Sequence, residues 1–242
     1  MTVTDRYIHV HFQLSVVSSF TFFKRLIMKK LALVSALILS SLLATTAQAE
    51  STFVPAAITG STATARLDFT IVIPQVLFLR VGTSSSNFAT DGAINGITYT
   101  VPAANLGDSS VINGVGGDLT AGAVTVRVYG NGGNISLNSG TTGPLNSGTV
   151  GENIAWSEIS VASAALATAT PGFTNAAITH PAFNTGTGGG AGTVTTLTAT
   201  SKIVRVEGKW TYTYLNTTVP AAGTYGGTVA KNGRVTYTAT QL

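Results

Sequence analysis

Residues 202–215 read "KIVRVEGKWTYTYL" and residues 234–240 read "RVTYTAT", so that apolar or aromatic side chains recur at every second position. Period two is the spacing of side chains on one face of a β-strand, whereas an amphipathic helix repeats its apolar residues at three and four. The same alternation runs through "AVTVRVYG" (123–130), with Val124, Val126 and Val128 on one face and Thr125, Arg127 and Tyr129 on the other. "NISLN" follows after a glycine-rich turn, which predicts that the two runs pair as a hairpin. "TARLDFTIVIPQVLFLRVG" (64–82) gives two strand-like runs separated at Pro74, a residue that cannot donate to a central ladder. The second of them, apolar on both faces except at Arg80, reads as a buried strand. "TVTTLTAT" (193–200) adds another strand, while residues 161–167 form at most a short turn. The fold class is all-β, an antiparallel sandwich.

Two Asn-Gly dipeptides punctuate this pattern. Asn95-Gly96 and Asn232-Gly233 each lie between alternating runs, and Asn-Gly suits the positive φ angles of a two-residue hairpin turn. "NTGTGGGAGT" (184–193) carries so many glycines that it reads as a mobile loop.

The chain has 242 residues and a formal charge of +4, which raises nucleic acid or an anionic membrane surface as a partner. The charge is confined to the start. Arg6, Lys24, Arg25, Lys29 and Lys30 face only Asp5 up to Ala49, and the rest of the chain holds eight bases and eight acids. Phosphate binding needs clustered Lys and Arg, and these eight are scattered singly, so no nucleic-acid partner is expected. Met28-Lys29-Lys30, an apolar stretch from Leu31 to Leu43 and small residues at Ala47 and Ala49 form a secretory signal peptide, 28–49, with cleavage after Ala49. Its apolar stretch is shorter than the ~20 residues a spanning helix needs, so no permanent membrane span is expected in the mature chain. Residues 1–27 read as a leader extension, or as upstream of a true start at Met28. Residues 50–242 are left as a single domain, long enough for one core. There is no cysteine, which removes disulfides, thiol nucleophiles and zinc-thiolate sites.

Signals for chemistry are sparse after Ala49. His180, beside Pro181, is the one histidine left there, and no Gly-x-Ser-x-Gly elbow accompanies it. A glycosidase would need two of Glu50, Asp68, Asp91, Asp108, Asp118, Glu152, Glu158 and Glu207 to face each other. Several of these flank turn residues, where a carboxylate caps backbone N–H groups. The calcium-loop spacing is missing, as is the Gly-Lys-Ser/Thr ending of a phosphate loop, so no metal or cofactor is expected. Trp156, Trp210 and Tyr214 allow either a sugar-stacking platform or a packed sheet face. Exposure of the three in one plane would favour a carbohydrate-binding module, and burial would count against it.

The closing segment "PAAGTYGGTVAKNGRVTYTATQL" resembles the end of secreted bacterial fimbrial-type β-sandwich subunits, including the spore-coat-protein-U-like pilins. The matching residues are Pro220, Gly223, Thr224 and Tyr225, followed by Val229, Val235 and Tyr237. The chain departs from those families in lacking their disulfide cysteines. The resemblance implies an Ig-like sandwich, and a structural or adhesive subunit of a surface fibre or coat with no chemistry of its own. It also implies self-association or association with other fibre subunits by strand addition, a periplasmic chaperone as an export partner, and a final location outside the cell, at its surface or in the periplasm. A donor strand must be extended and apolar at alternate positions. At the expected mature N-terminus, Phe53, Val54 and Ile58 are the candidate plugs, and the same segment reads equally as the sandwich's own first strand or as a tail.

Overall fold

The computed structural model describes residues 50–84 and 88–242. The expected leader extension and the signal peptide, with Ala47 and Ala49, lie outside the described residues. The chain divides between Val72 and Ile73 into two units.

Residues 50–72 contain no strand. Arg66 makes a two-pronged ion pair with Glu50, 2.7 and 2.8 Å, and Thr52 Oγ1 donates to the Thr64 carbonyl at 2.6 Å. The first of the two strand-like runs expected over 64–82 is therefore not a strand.

The unit Ile73–Leu242 carries the β-structure. In chain order its strands are β1 (Leu77–Val81), β2 (Ile97–Thr98), β3 (Ile112–Asn113), β4 (Val115–Gly116), β5 (Ala123–Gly130), β6 (Ile135–Thr141) and β7 (Leu145–Asn146). There follow β8 (Asn153–Ile154), β9 (Ile159–Ala164), β10 (Thr174–Asn175), β11 (Gly190–Ala191), β12 (Thr195–Leu197), β13 (Val204–Tyr214) and β14 (Thr236–Gln241). The helical elements among the described residues are three 3₁₀ turns, and none is long or apolar enough to cross a membrane.

β13 is the spine of a six-stranded sheet. Residues 204–211 pair antiparallel with β5, 213–214 with β3 and 209–214 with β9, while 206–207 pair parallel with β10. β1 pairs with the far side of β5 and ends the sheet. A second sheet is built on β6, which takes β14 along residues 135–140 and β12 and β11 on shorter stretches. The two sheets share one core. Val126, Val128, Val204 and Trp210 from the first meet Ile135 and Leu137 from the second, with Ile178 between strands adding to them. Full burial of each such aliphatic side chain stabilises by roughly 1.5–3 kcal/mol, and removing Trp210 to the β-carbon would cost about 3–5 kcal/mol.

β5 and β6 do not pair with each other. The alternation of each run is as expected, but the turn between them is a corner that carries the chain from one sheet to the other. Asn131 fixes that corner, its Oδ1 accepting from Val76 N and its Nδ2 donating to the Pro74 carbonyl, both at 2.8 Å. β1 is a half-buried edge strand rather than a fully buried one, because among the described residues only β5 flanks it. Residues 159–164 are β9 rather than the start of a short turn, drawn into the ladder by β13.

Neither Asn-Gly pair closes a hairpin. The Asn95 side chain is spent on Thr83, accepting from its N–H at 2.5 Å and donating to its hydroxyl at 3.0 Å, and the strand that follows pairs with β4 instead. Asn232 does take the left-handed conformation, φ 56°, but as the end of the 3₁₀ turn Val229–Lys231. Its amide stitches that turn to Thr142 and Pro144, both at 3.0 Å. Gly233 is required for space, since a β-carbon there would lie 2.3 Å from Gly227 N. The glycine-rich run is also more ordered than a mobile loop: Gly190 and Ala191 pair with β6, and Gly192 N donates to Ser139 O at 2.7 Å.

Candidate strand-addition site

The outer edges of β1 and β14 carry no ladder partner among the described residues. The two strands approach each other where both leave the 131–134 corner, with the amides of Gln75 and Gln241 3.2 Å apart and Leu242 N donating to Asn134 O at 2.8 Å. They share no ladder. Leu79 and Val81 from β1 and Tyr237 and Ala239 from β14 are half-buried and pack on the core along this seam. An open edge of this kind is a template for another strand.

The candidate plugs Phe53 and Ile58 are exposed, and Val54 is half-buried. The segment that carries them is not extended: Pro55-Ala56 and Thr59-Gly60 are turns, and Ser61 N closes on Ile58 O at 2.9 Å. Residues 50–63, expected as a donor strand, as the domain's own first strand or as a tail, thus contain no strand. A few residues on, Leu67, Phe69 and Ile71 alternate with Asp68 and Thr70, and all three apolar side chains are more than 70% exposed. That row was visible in "LDFTI", an unbroken alternation without proline or turn, but it read as a strand of the domain.

The aromatic side chains do not form a platform. Trp156, Trp210 and Tyr214 are 6%, 1% and 5% exposed. Both indoles donate inward, Trp156 Nε1 to Gly143 O at 2.7 Å and Trp210 Nε1 to Ile178 O at 2.6 Å. Their burial counts against sugar stacking on these rings.

His180 is wedged into the same core. Its ring lies edge-on 4.6 Å from Trp210 and 4.7 Å from Phe183, and its Nε2 meets the Tyr237 hydroxyl at 2.7 Å. That hydroxyl in turn meets Tyr212 at 2.8 Å. Burial pushes the imidazole down to about 4, and it pushes both tyrosine ionisations upward. Asp91 and Asp108 cap turns as their sequence neighbours imply, accepting from Ala93 N at 2.9 Å and Ser110 N at 2.8 Å. Glu158 is held by the backbone and hydroxyl of Thr217, and Glu152 by Ser147 Oγ at 2.6 Å. Among the described residues no group of three His, Asp or Glu is placed to hold a metal ion.

Comparison with protein-family models, with curated proteins and with solved structures returns no match to this chain.

Proposed function

We propose that the chain is an exported, non-enzymatic structural or adhesive subunit of a surface fibre or coat. Its domain is an Ig-like antiparallel sandwich preceded by a cleaved signal helix, and copies associate by adding a strand from one to an open sheet edge of the next. The observation that carries this reading is the exposed row Leu67, Phe69 and Ile71 in a segment with no strand of its own. Strand addition draws affinity from main-chain hydrogen bonds and register from alternate side chains. Burying three such side chains yields about 5–9 kcal/mol, which only offsets an association cost of about 4–15 kcal/mol, so backbone pairing along β1 or β14 has to supply the surplus. During export a periplasmic chaperone would shield the same row, and other fibre subunits could accept it. The residues after Ala49 hold as many bases as acids, which lets many copies pack without long-range repulsion.

Electron microscopy of the full chain, exported with its own leader, tests the reading. Fibres or coat-like polymers are expected, lost in Phe69→Asp/Ile71→Asp while the β-type circular dichroism is kept. A wild type that stays monomeric at high concentration, or a double variant that polymerises like the wild type, overturns it. The intact mass of the exported protein should begin at Glu50, and retention of Lys29-Lys30 would remove the signal-peptide reading.

A further inference from the structure

The face of the six-stranded sheet turned away from the shared core is not flat. A cleft of about 480 Å³ opens over it, lined by Arg80 of β1, Thr125 and Arg127 of β5 and Lys209 of β13, and walled by residues 166–168, Thr170 and Leu119. The register puts these side chains together: Arg80 is opposite Arg127, and Thr125 is opposite Lys209. Two of the three cations are matched. Arg80 Nη2 reaches Asp118 Oδ2 at 3.2 Å, and Arg127 Nη2 reaches Glu207 Oε2 at 2.7 Å. Lys209 is half-buried, and among the described residues no carboxylate lies within ion-pairing distance of its ammonium. One positive charge is therefore left over in a partly desolvated cleft, where an anion is favoured more than at an open surface.

The rest of the lining narrows the ligand. Thr125 and Thr168 are hydroxyl-bearing residues of the lining, Thr170 is there too with its Oγ1 already taken by Arg127 Nη2 at 2.6 Å, and Leu119, Leu166, Ala123 and Ala167 supply small apolar patches. Ligand sites of this volume combine an apolar wall with a few orienting polar groups. A single spare charge matches a monoanion better than a phosphate, and the threonines match a hydroxylated body. We propose that this cleft binds an acidic monosaccharide of the uronic-acid type, its carboxylate on Lys209 Nζ and its hydroxyls toward the threonines. The site is on the outer face of the sheet and takes in Arg80 of β1, whereas strand addition uses the backbone edge of β1 or β14, so binding does not depend on strand addition.

Calorimetric titration of the full chain with galacturonate tests this, with galactose as the neutral probe of the same shape. Saturable galacturonate binding is expected, weakened at least tenfold by added salt or by Lys209→Gln, and kept within a few-fold in Lys209→Arg; galactose should give no saturable heat. An unchanged thermal midpoint in Lys209→Gln, or recovery in Lys209→Arg, separates a lost contact from a lost fold. Absence of saturable galacturonate binding, equal binding of galactose, or equal affinity in the wild type and Lys209→Gln overturns the proposal.

Discussion

Arg127 of β5 and Glu207 of β13 face each other across one ladder position, and both are buried, with Arg127 Nε 3.0 Å and Nη2 2.7 Å from Glu207 Oε2. The second carboxylate oxygen accepts from Thr170 N, Arg127 also reaches Thr170 Oγ1 at 2.6 Å, and its guanidinium covers the Phe173 ring at 4.7 Å. The pair thus ties the loop carrying Thr170 to the outer face of the sheet. Removing one partner leaves a buried charge unmatched, so Glu207→Ala should destabilise by about 3–5 kcal/mol. Arg127→Met/Glu207→Leu, which removes both charges, should recover most of that loss in urea melts. Equal losses for single and double variants would mean that the pair acts through packing alone. Burial raises the Glu207 carboxyl, but the Thr170 N–H and Arg127 outweigh it and hold the group below its ordinary value. Its contribution is present above about pH 4.5 and fades as the pH falls further.

His180 sets a second pH dependence at higher pH. Its imidazole titrates near 4 in the folded chain against 6.5 when free, so between those values the unfolded chain holds a proton that the folded one lacks. Stability should be at full value above about pH 6.5 and fall as the pH drops toward 4, by up to roughly 3 kcal/mol. In His180→Gln the slope between pH 6.5 and 5, above the carboxylate range, should flatten. Denaturant midpoints at closely spaced pH values decide it, and an unchanged slope in the variant sinks the assignment.

What could be read in the sequence was local and periodic. β5, β12 and β13 fall where alternation places them, and Trp210, Tyr212 and Tyr214 share a face as predicted. What could not be read was which sheet each strand joins. "GNGGN" after β5 is a good hairpin turn in isolation, yet Asn131 is committed to Pro74 and Val76, residues more than 50 positions earlier, and the chain turns a corner. Thr125 and Arg127 alternate as an outward face, but both are buried, Arg127 stacked on Phe173 and against Thr170. The candidate strand-addition site was half legible for the same reason: an exposed "LDFTI" and a paired one have identical patterns, and only the missing partner strand separates them.

The glycines in and around the 184–193 run are not equivalent. Gly189 has φ +66° and a β-carbon there would lie 2.4 Å from Gly143 N, while Gly188 faces open space with an ordinary φ. Gly189→Ala and Gly233→Ala should each lose on the order of 1 kcal/mol or more, the first from backbone strain and overlap and the second from overlap with Gly226-Gly227. Gly188→Ala should stay within about 0.5 kcal/mol of the wild type. Thermal midpoints of the three variants and the wild type are enough, and a Gly188→Ala loss equal to that of Gly189→Ala would show the run to be uniformly constrained.

The two candidate plug sets make opposite predictions for assembly. Phe53 and Ile58 are separated by the Pro55-Ala56 turn, with Ala56 at φ 54°, so no single extended strand presents both on one face. Leu67, Phe69 and Ile71 need no such rearrangement beyond extension, because their spacing already matches the pleat. Phe53→Asp/Ile58→Asp should therefore leave polymer yield near wild type, whereas Phe69→Asp/Ile71→Asp abolishes it by placing two charges in apolar sites at a cost of several kcal/mol. Sedimentation of both variants alongside the wild type, with circular dichroism to confirm folding, compares them directly. Polymer loss in the first pair but not the second would return the donor role to residues 53–58. Loss in both would widen it to the whole of residues 53–71.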